Sequence, residues 1–141
     1  MSEPLQATAV WRGGWATDVT ARGHEIRVDE PASAGGGDTG MMPTELFCAA
    51  LASCFCLAVA YAARKQEDLE VPGLSVVVTA ERAGTELRYG RITVETSAVL
   101  DDETLAGLVH RARPLCWVSN TLAEGVSLEY SRTSRNAHFR K

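Results

Sequence analysis

Three short runs rich in Val, Ile, Thr or Trp open the chain: residues 5–11, 15–20 and 23–29. They are separated by Arg12-Gly13-Gly14 and Ala21-Arg22-Gly23, whose glycines suit hairpin turns, and together they predict an N-terminal β-meander. Residues 32–40, Ala-Ser-Ala-Gly-Gly-Gly-Asp-Thr-Gly, carry neither period and predict a flexible crossing loop. Pro43 suits a first helical position and Glu45 the positive end of a helix, so a long helix is expected from Pro43 to about Lys65, before the break at Val71-Pro72-Gly73. At 1.5 Å per residue such a helix is roughly 34 Å long and crosses the whole domain. Residues 74–82 and 85–100 predict a hairpin around Ala83-Gly84, with Leu87 and Tyr89, then Ile92, Val94, Thr96 and Ala98, alternating. The alternation changes phase at Gly90, a candidate bulge. Asp101 can cap a helix that carries Leu105, Leu108, Val109 and Ala112 on one stripe and stops before Pro114. A short helix from Leu115 to about Ala123 and a last strand over residues 126–130 complete the pattern. Strands and helices in this order predict an α+β domain rather than an alternating parallel fold.

Length changes this picture little, because 141 residues fit one domain with its own core, ending in a solvated basic tail over about residues 131–141 (Arg132, Arg135, Arg140, Lys141). Charge changes it more. A net charge of -4 gives no basic field for phosphate backbones, so no nucleic-acid partner is expected. Residues 1–10 lack the basic and apolar regions of a secretory signal, which favours the cytoplasm. Residues 46–63 are 18 in a row with only Ser53 polar, long enough to span a membrane. Seven of them are alanine, and the strands would have nothing to pack on if this helix left for a bilayer, so the reading is a buried central helix and no membrane.

Candidate chemistry is sparse. Gly35-Gly36-Gly37 lacks the spacing of a phosphate loop, and His24, His110 and His138 have no metal-ligand spacing, so neither a cofactor nor a metal is expected. Four cysteines remain: Cys48, Cys54, Cys56 and Cys116. In a reducing compartment they are thiols rather than a disulfide framework. Cys48 reads as core packing, and Cys56 too, because it lies about 200° around the helix from Cys54. Cys116 follows Pro114 and opens a short helix, where free N–H groups and the helix dipole favour an anionic sulfur. Cys54 lies inside its helix and needs a cation from elsewhere, such as Arg12 or Arg22.

The segment Gly36-Gly37-Asp38-Thr39-Gly40, then Pro43-Thr44-Glu45-Leu46-Phe47-Cys48-Ala49-Ala50-Leu51-Ala52-Ser53-Cys54, resembles the OsmC/Ohr family, as does Cys116-Trp117-Val118-Ser119-Asn120-Thr121-Leu122. The two cysteine motifs stand 62 residues apart, and the resemblance covers residues 7–130. It implies an OsmC-like fold forming an intertwined homodimer, and a cysteine-based peroxidase of oxidative stress defence. By similarity, Cys54 is the peroxidatic thiolate that attacks an organic hydroperoxide and Cys116 the resolving thiol. A dithiol reductant, dihydrolipoamide-like, regenerates both, with no bound cofactor or metal. The family pairs an arginine of the N-terminal hairpin with a glutamate at the start of the long helix. Arg12, with Arg22 behind it, and Glu45 are the matching candidates.

Three positions depart from the family pattern. Glu45 lies nine residues before Cys54, whereas the hydroperoxide branch carries its glutamate ten before, where Thr44 stands. Met42 replaces a polar helix cap, and Trp117 replaces the proline that follows the second cysteine. A second reading is an OsmC-like module whose apolar pocket, walled by Trp117 and Phe55, holds a small hydrophobic ligand without turnover. A third is a structural domain with buried thiols.

Overall fold

The computed structural model describes residues 3–82, 84–85 and 92–134. Three strands, β1 (Thr8–Trp11), β2 (Thr17–Ala21) and β3 (His24–Val28), form the expected antiparallel meander in the order β1-β2-β3. The β2–β3 turn is tight because Arg22 and Gly23 both take positive φ, 50° and 80°, the twist that a two-residue hairpin needs. Register makes the sheet two-faced. Val10, Asp18 and Arg27 lie opposite one another on one side; Trp11, Val19, Ile26 and Val28 lie on the other.

The crossing loop is more ordered than its composition predicts. Residues Ala32–Ala34 form a 3₁₀ turn, and the buried Asp29 carboxylate gathers the rest. It accepts from the N–H groups of Glu30 (2.8 Å), Gly37 (3.2 Å) and Thr39 (3.2 Å) and from the Thr39 hydroxyl (2.7 Å). Gly36 is required here, since a Cβ would stand 2.0 Å from the Glu30 carbonyl oxygen. A loop with no hydrophobic period is thus fixed by one carboxylate that spans it.

Helix α1 (Pro43–Tyr61) starts at Pro43 as expected and runs on through a π-helical turn, Ala62–Gln66. Met42 provides no side-chain cap, and Glu45 compensates: its Oε1 accepts the Met42 N–H at 2.9 Å. The hairpin β4 (Ser75–Ala80) and β5 (Ile92–Ser97) packs on α1, while α2 (Asp102–Ala112) and α3 (Trp117–Glu124) pack against α1 as well. Asp101 caps α2 as expected, accepting from the Thr104 N–H at 2.9 Å and the Thr104 hydroxyl at 2.8 Å. The mixed helix and sheet architecture follows the predicted order.

The core gathers Leu51, Phe55, Ala58, Val59, Ala62 and Ala63 of α1 and its π turn with Leu108, Ala112 and Cys116. The expectation of a helix buried all round is therefore corrected. The alanines let α2 approach closely on one side, but Phe47, Leu57 and Tyr61 stay exposed, Leu57 by 70%. One apolar helical stretch, Pro43–Gln66, has the length and composition of a membrane span, and its partly buried packing against strands and helices identifies it as a core helix.

A second correction concerns residues 126–130, which form no strand. A strand needs an edge to pair with, and this alternating segment (Val126, Leu128 and Tyr130 against Ser127 and Glu129) finds none within the described protomer. The turn at Ala83, the alternation at Leu87 and Tyr89, the bulge at Gly90, His138 and the tail residues Arg135, Arg140 and Lys141 lie outside the described residues.

Candidate functional site

Cys54 of α1 and Cys116, 62 residues later, both belong to the surroundings of one core cluster. Cys116 is the N-cap of α3, fully buried within the core cluster, and the half-buried Cys54 packs against that same cluster. Local bonds fix the chain around Cys116. Ser119 Oγ donates to the Cys116 carbonyl at 3.1 Å, and Asn120 donates its backbone N–H to the same oxygen at 3.0 Å. The Asn120 side chain reaches back to the Pro114 carbonyl at 3.1 Å. Thus Pro114-Leu115-Cys116-Trp117-Val118-Ser119-Asn120 is a braced turn rather than a loose linker. All four cysteines are free thiols.

The other two expected members are not joined to this pair within the protomer. Arg12 sits just past β1 on the polar side of the meander, where its Nε donates to Asp18 Oδ2 at 2.7 Å. Arg27 donates its Nε to the other oxygen, Asp18 Oδ1, at 2.6 Å. The two guanidinium groups hold the Asp18 carboxyl below its ordinary value, Arg27 first and Arg12 second, and Asp18 in turn raises Arg27. Only the Nε edge of Arg12 is taken up by this contact. Arg22 lies at the far end of β2, inside the hairpin turn.

Glu45 looks away from Cys54. Nine residues make about two and a half helical turns, so the two side chains leave α1 on opposite sides. Glu45 lines a cleft of about 480 Å³ between α1 and β4, together with Cys48, Ala52, Val78 and Arg82. Cys48, read from the sequence as core packing, is half-buried on that cleft, and Cys56 is half-buried as well. The Arg82 guanidinium lies 3.7 Å from the Met42 sulfur. The sequence did not point to Arg82, because the segment just past β4 has no sequence link to the start of α1.

A larger cleft of about 650 Å³ lies between α1, β5, α2 and α3. Phe55 forms part of its wall, as expected for an apolar pocket. Trp117 is not among its lining residues; it is 76% exposed, because the first turn of α3 points that side chain outward. Among the described residues, no three His, Cys, Asp or Glu side chains gather in a way that could hold a metal ion.

A family model described as "OsmC-like protein" matches residues 35–131. Solved structures agree with it. An OsmC like protein from Mycoplasma pneumoniae superposes with a TM-score of 0.70 at 17% identity, over 87% of this chain and 89% of that one. A Vibrio cholerae protein assigned to the organic hydroperoxide resistance proteins, with captopril bound in one of its active sites, is 28% identical, with a TM-score of 0.63 over 86% and 87% of the two chains. The organic hydroperoxide resistance protein OhrB of Bacillus subtilis is 26% identical, with a TM-score of 0.53 over 84% and 90%. No curated protein matches the sequence.

Proposed function

Because the chain belongs to the OsmC-like protein family, we propose that it is a thiol peroxidase that reduces organic hydroperoxides through Cys54 and Cys116. The observation that supports this reading is that Cys54 packs against the core cluster that contains Cys116, where α1 and α3 adjoin. The relatives named for organic hydroperoxide resistance support the same substrate class.

In this reading the half-buried Cys54 is the thiol that peroxide reaches first. Its thiolate attacks one peroxide oxygen, the O–O bond breaks, and the alkoxide leaves as an alcohol after taking a proton; Cys54 becomes a sulfenic acid. The Cys116 thiol then attacks the Cys54 sulfur, water leaves, and a disulfide closes. A dithiol reductant, itself oxidised to a disulfide, returns both thiols. Burial of Cys116 keeps external oxidants from it until Cys54 has reacted, which orders the two steps.

The reading includes a homodimer. Trp11 and Ile26 on the apolar side of the meander and Phe47, Leu57 and Tyr61 on α1 are exposed, apolar side chains that a second protomer would cover. Arg12 is then the activating cation, supplied by the meander of a second protomer. The contact with Asp18 fixes its Nε edge and leaves its terminal nitrogens to face the Cys54 sulfur. Glu45 serves the start of α1, so activation rests on an arginine without the family's glutamate partner. Four free thiols suit the cytoplasm, where thiols are kept reduced.

The test is consumption of tert-butyl hydroperoxide with dihydrolipoamide as reductant. Cys54→Ser is expected to abolish turnover, whereas Cys116→Ser leaves a single oxidation per chain without turnover. Unchanged consumption in both variants would defeat the reading.

A further inference from the structure

The 650 Å³ cleft carries more information than its apolar wall. Its volume lies within the range of small-molecule sites, about 300–1,000 Å³. Phe55, Val94, Val109 and Pro114 give it an apolar floor, and two basic side chains, His110 and Arg113, stand at its rim. None of the described residues that line it is acidic. The remaining polar groups are turned inward: the Ser119 hydroxyl donates to the Cys116 carbonyl and the Asn120 amide to the Pro114 carbonyl. Among the described residues the rim therefore offers basic donors without a competing carboxylate, over a floor that favours hydrocarbon.

We propose that this cleft binds an amphipathic carboxylate, with its tail on Phe55 and Val109 and its head on Arg113. The planar guanidinium matches a carboxylate with two parallel N–H donors, and His110, three residues earlier, supplies a further donor on the same side of the cleft. A neutral ligand of equal length gains the floor but not the rim. An anionic ligand without a tail gains the rim alone, which is weak at an exposed site. The pairing of the two features selects the class.

The site does not depend on turnover, and its test uses a ligand with no peroxide group. Decanoate and decanol are titrated calorimetrically into the full-length protein. Decanoate is expected to bind once per chain and about tenfold more tightly than decanol, the scale of a charge-assisted contact. Arg113→Gln, at an exposed position and expected to leave the circular dichroism spectrum unchanged, is expected to bring decanoate down to the level of decanol. Arg113→Lys keeps part of the difference. Ala123→Trp fills the cleft and removes both. Equal affinity for the two ligands, decanoate binding unchanged in Arg113→Gln, or no binding of either would overturn the proposal, the last being the outcome if a second copy of this chain fills the cleft. Each result leaves the hydroperoxide assay to be judged on its own.

Discussion

The meander and the helical junction use similar residues to opposite ends. In the junction, Leu108, Val59 and Cys116 are wholly buried, and alanines bring α1 and α2 together. In the meander, Trp11, Val10 and Ile26 remain exposed, Trp11 by 71%, although its strands are well paired. What holds the meander within the protomer is mostly polar: Asp18 between Arg12 and Arg27, and Asp29 at its exit. The difference teaches that hydrogen-bonded strand pairing and core formation are separate events here. The junction buries its core within the protomer, while Trp11 and Ile26 on the apolar face of the meander stay exposed among the described residues.

The comparison is most sharply tested at Leu108. Leu108→Ala removes a fully buried side chain and is expected to cost about 2–5 kcal/mol in urea unfolding. A loss below about 1 kcal/mol would mean that the junction is not the core. Gly36→Ala is expected to come next, roughly 1–3 kcal/mol, because the new Cβ meets backbone at 2.0 Å and the loop must shift. Ile26→Asp probes the other side of the contrast. If a second protomer covers the apolar face, this variant's melting midpoint falls most at low protein concentration. A midpoint equal to that of the unsubstituted protein at every concentration would show that the face is uncovered in solution.

Acid gives the smallest and most graded effect. The Asp29 carboxyl is held below its ordinary value by the Thr39 hydroxyl first, then by the N–H groups of Thr39, Glu30 and Gly37, against the cost of burial. Asp18 is lowered by Arg27 and Arg12. A carboxyl depressed in the folded state contributes stability that is complete above its unfolded pKa, near the ordinary 3.8, and is lost as pH falls through the folded value. Stability is therefore expected to be level through these groups from neutrality to about pH 5 and to fall progressively below it. Asp29→Asn should flatten that fall more than Asp18→Asn, whose partners are exposed and screened by solvent. An acid limb unchanged in Asp29→Asn would remove the polar account of how the loop is held.

Much of this was legible from the residues, and the failures share a cause. The turns at Gly13 and Gly23, the start of α1 at Pro43 and the Asp101 cap are local signals, decided by residues within a few positions of each other, and all appear where expected. Asp29 was invisible because its partners lie eight and ten residues away in a segment with no period. The strand expected at residues 126–130 had the right alternation, but alternation does not supply an edge. At the proposed site, the two cysteines were proposed from their motifs, and both adjoin one core cluster. The nine-residue spacing already implied that Glu45 and Cys54 leave the helix on opposite sides, whereas the hold of Asp18 on Arg12 needed the strand register. Arg82 and the basic rim of the larger cleft depend on tertiary approach and left no trace in the sequence.

The central claim is that Cys54 and Cys116 act as one redox pair, and disulfide mapping of the intact protein tests it most directly. After one equivalent of tert-butyl hydroperoxide per chain, the account predicts a mass loss of two hydrogens and a single Cys54–Cys116 linked peptide, with Cys48 and Cys56 still alkylated. A linkage through Cys48 or Cys56 instead, or four unmodified thiols after the peroxide has been consumed, would contradict it.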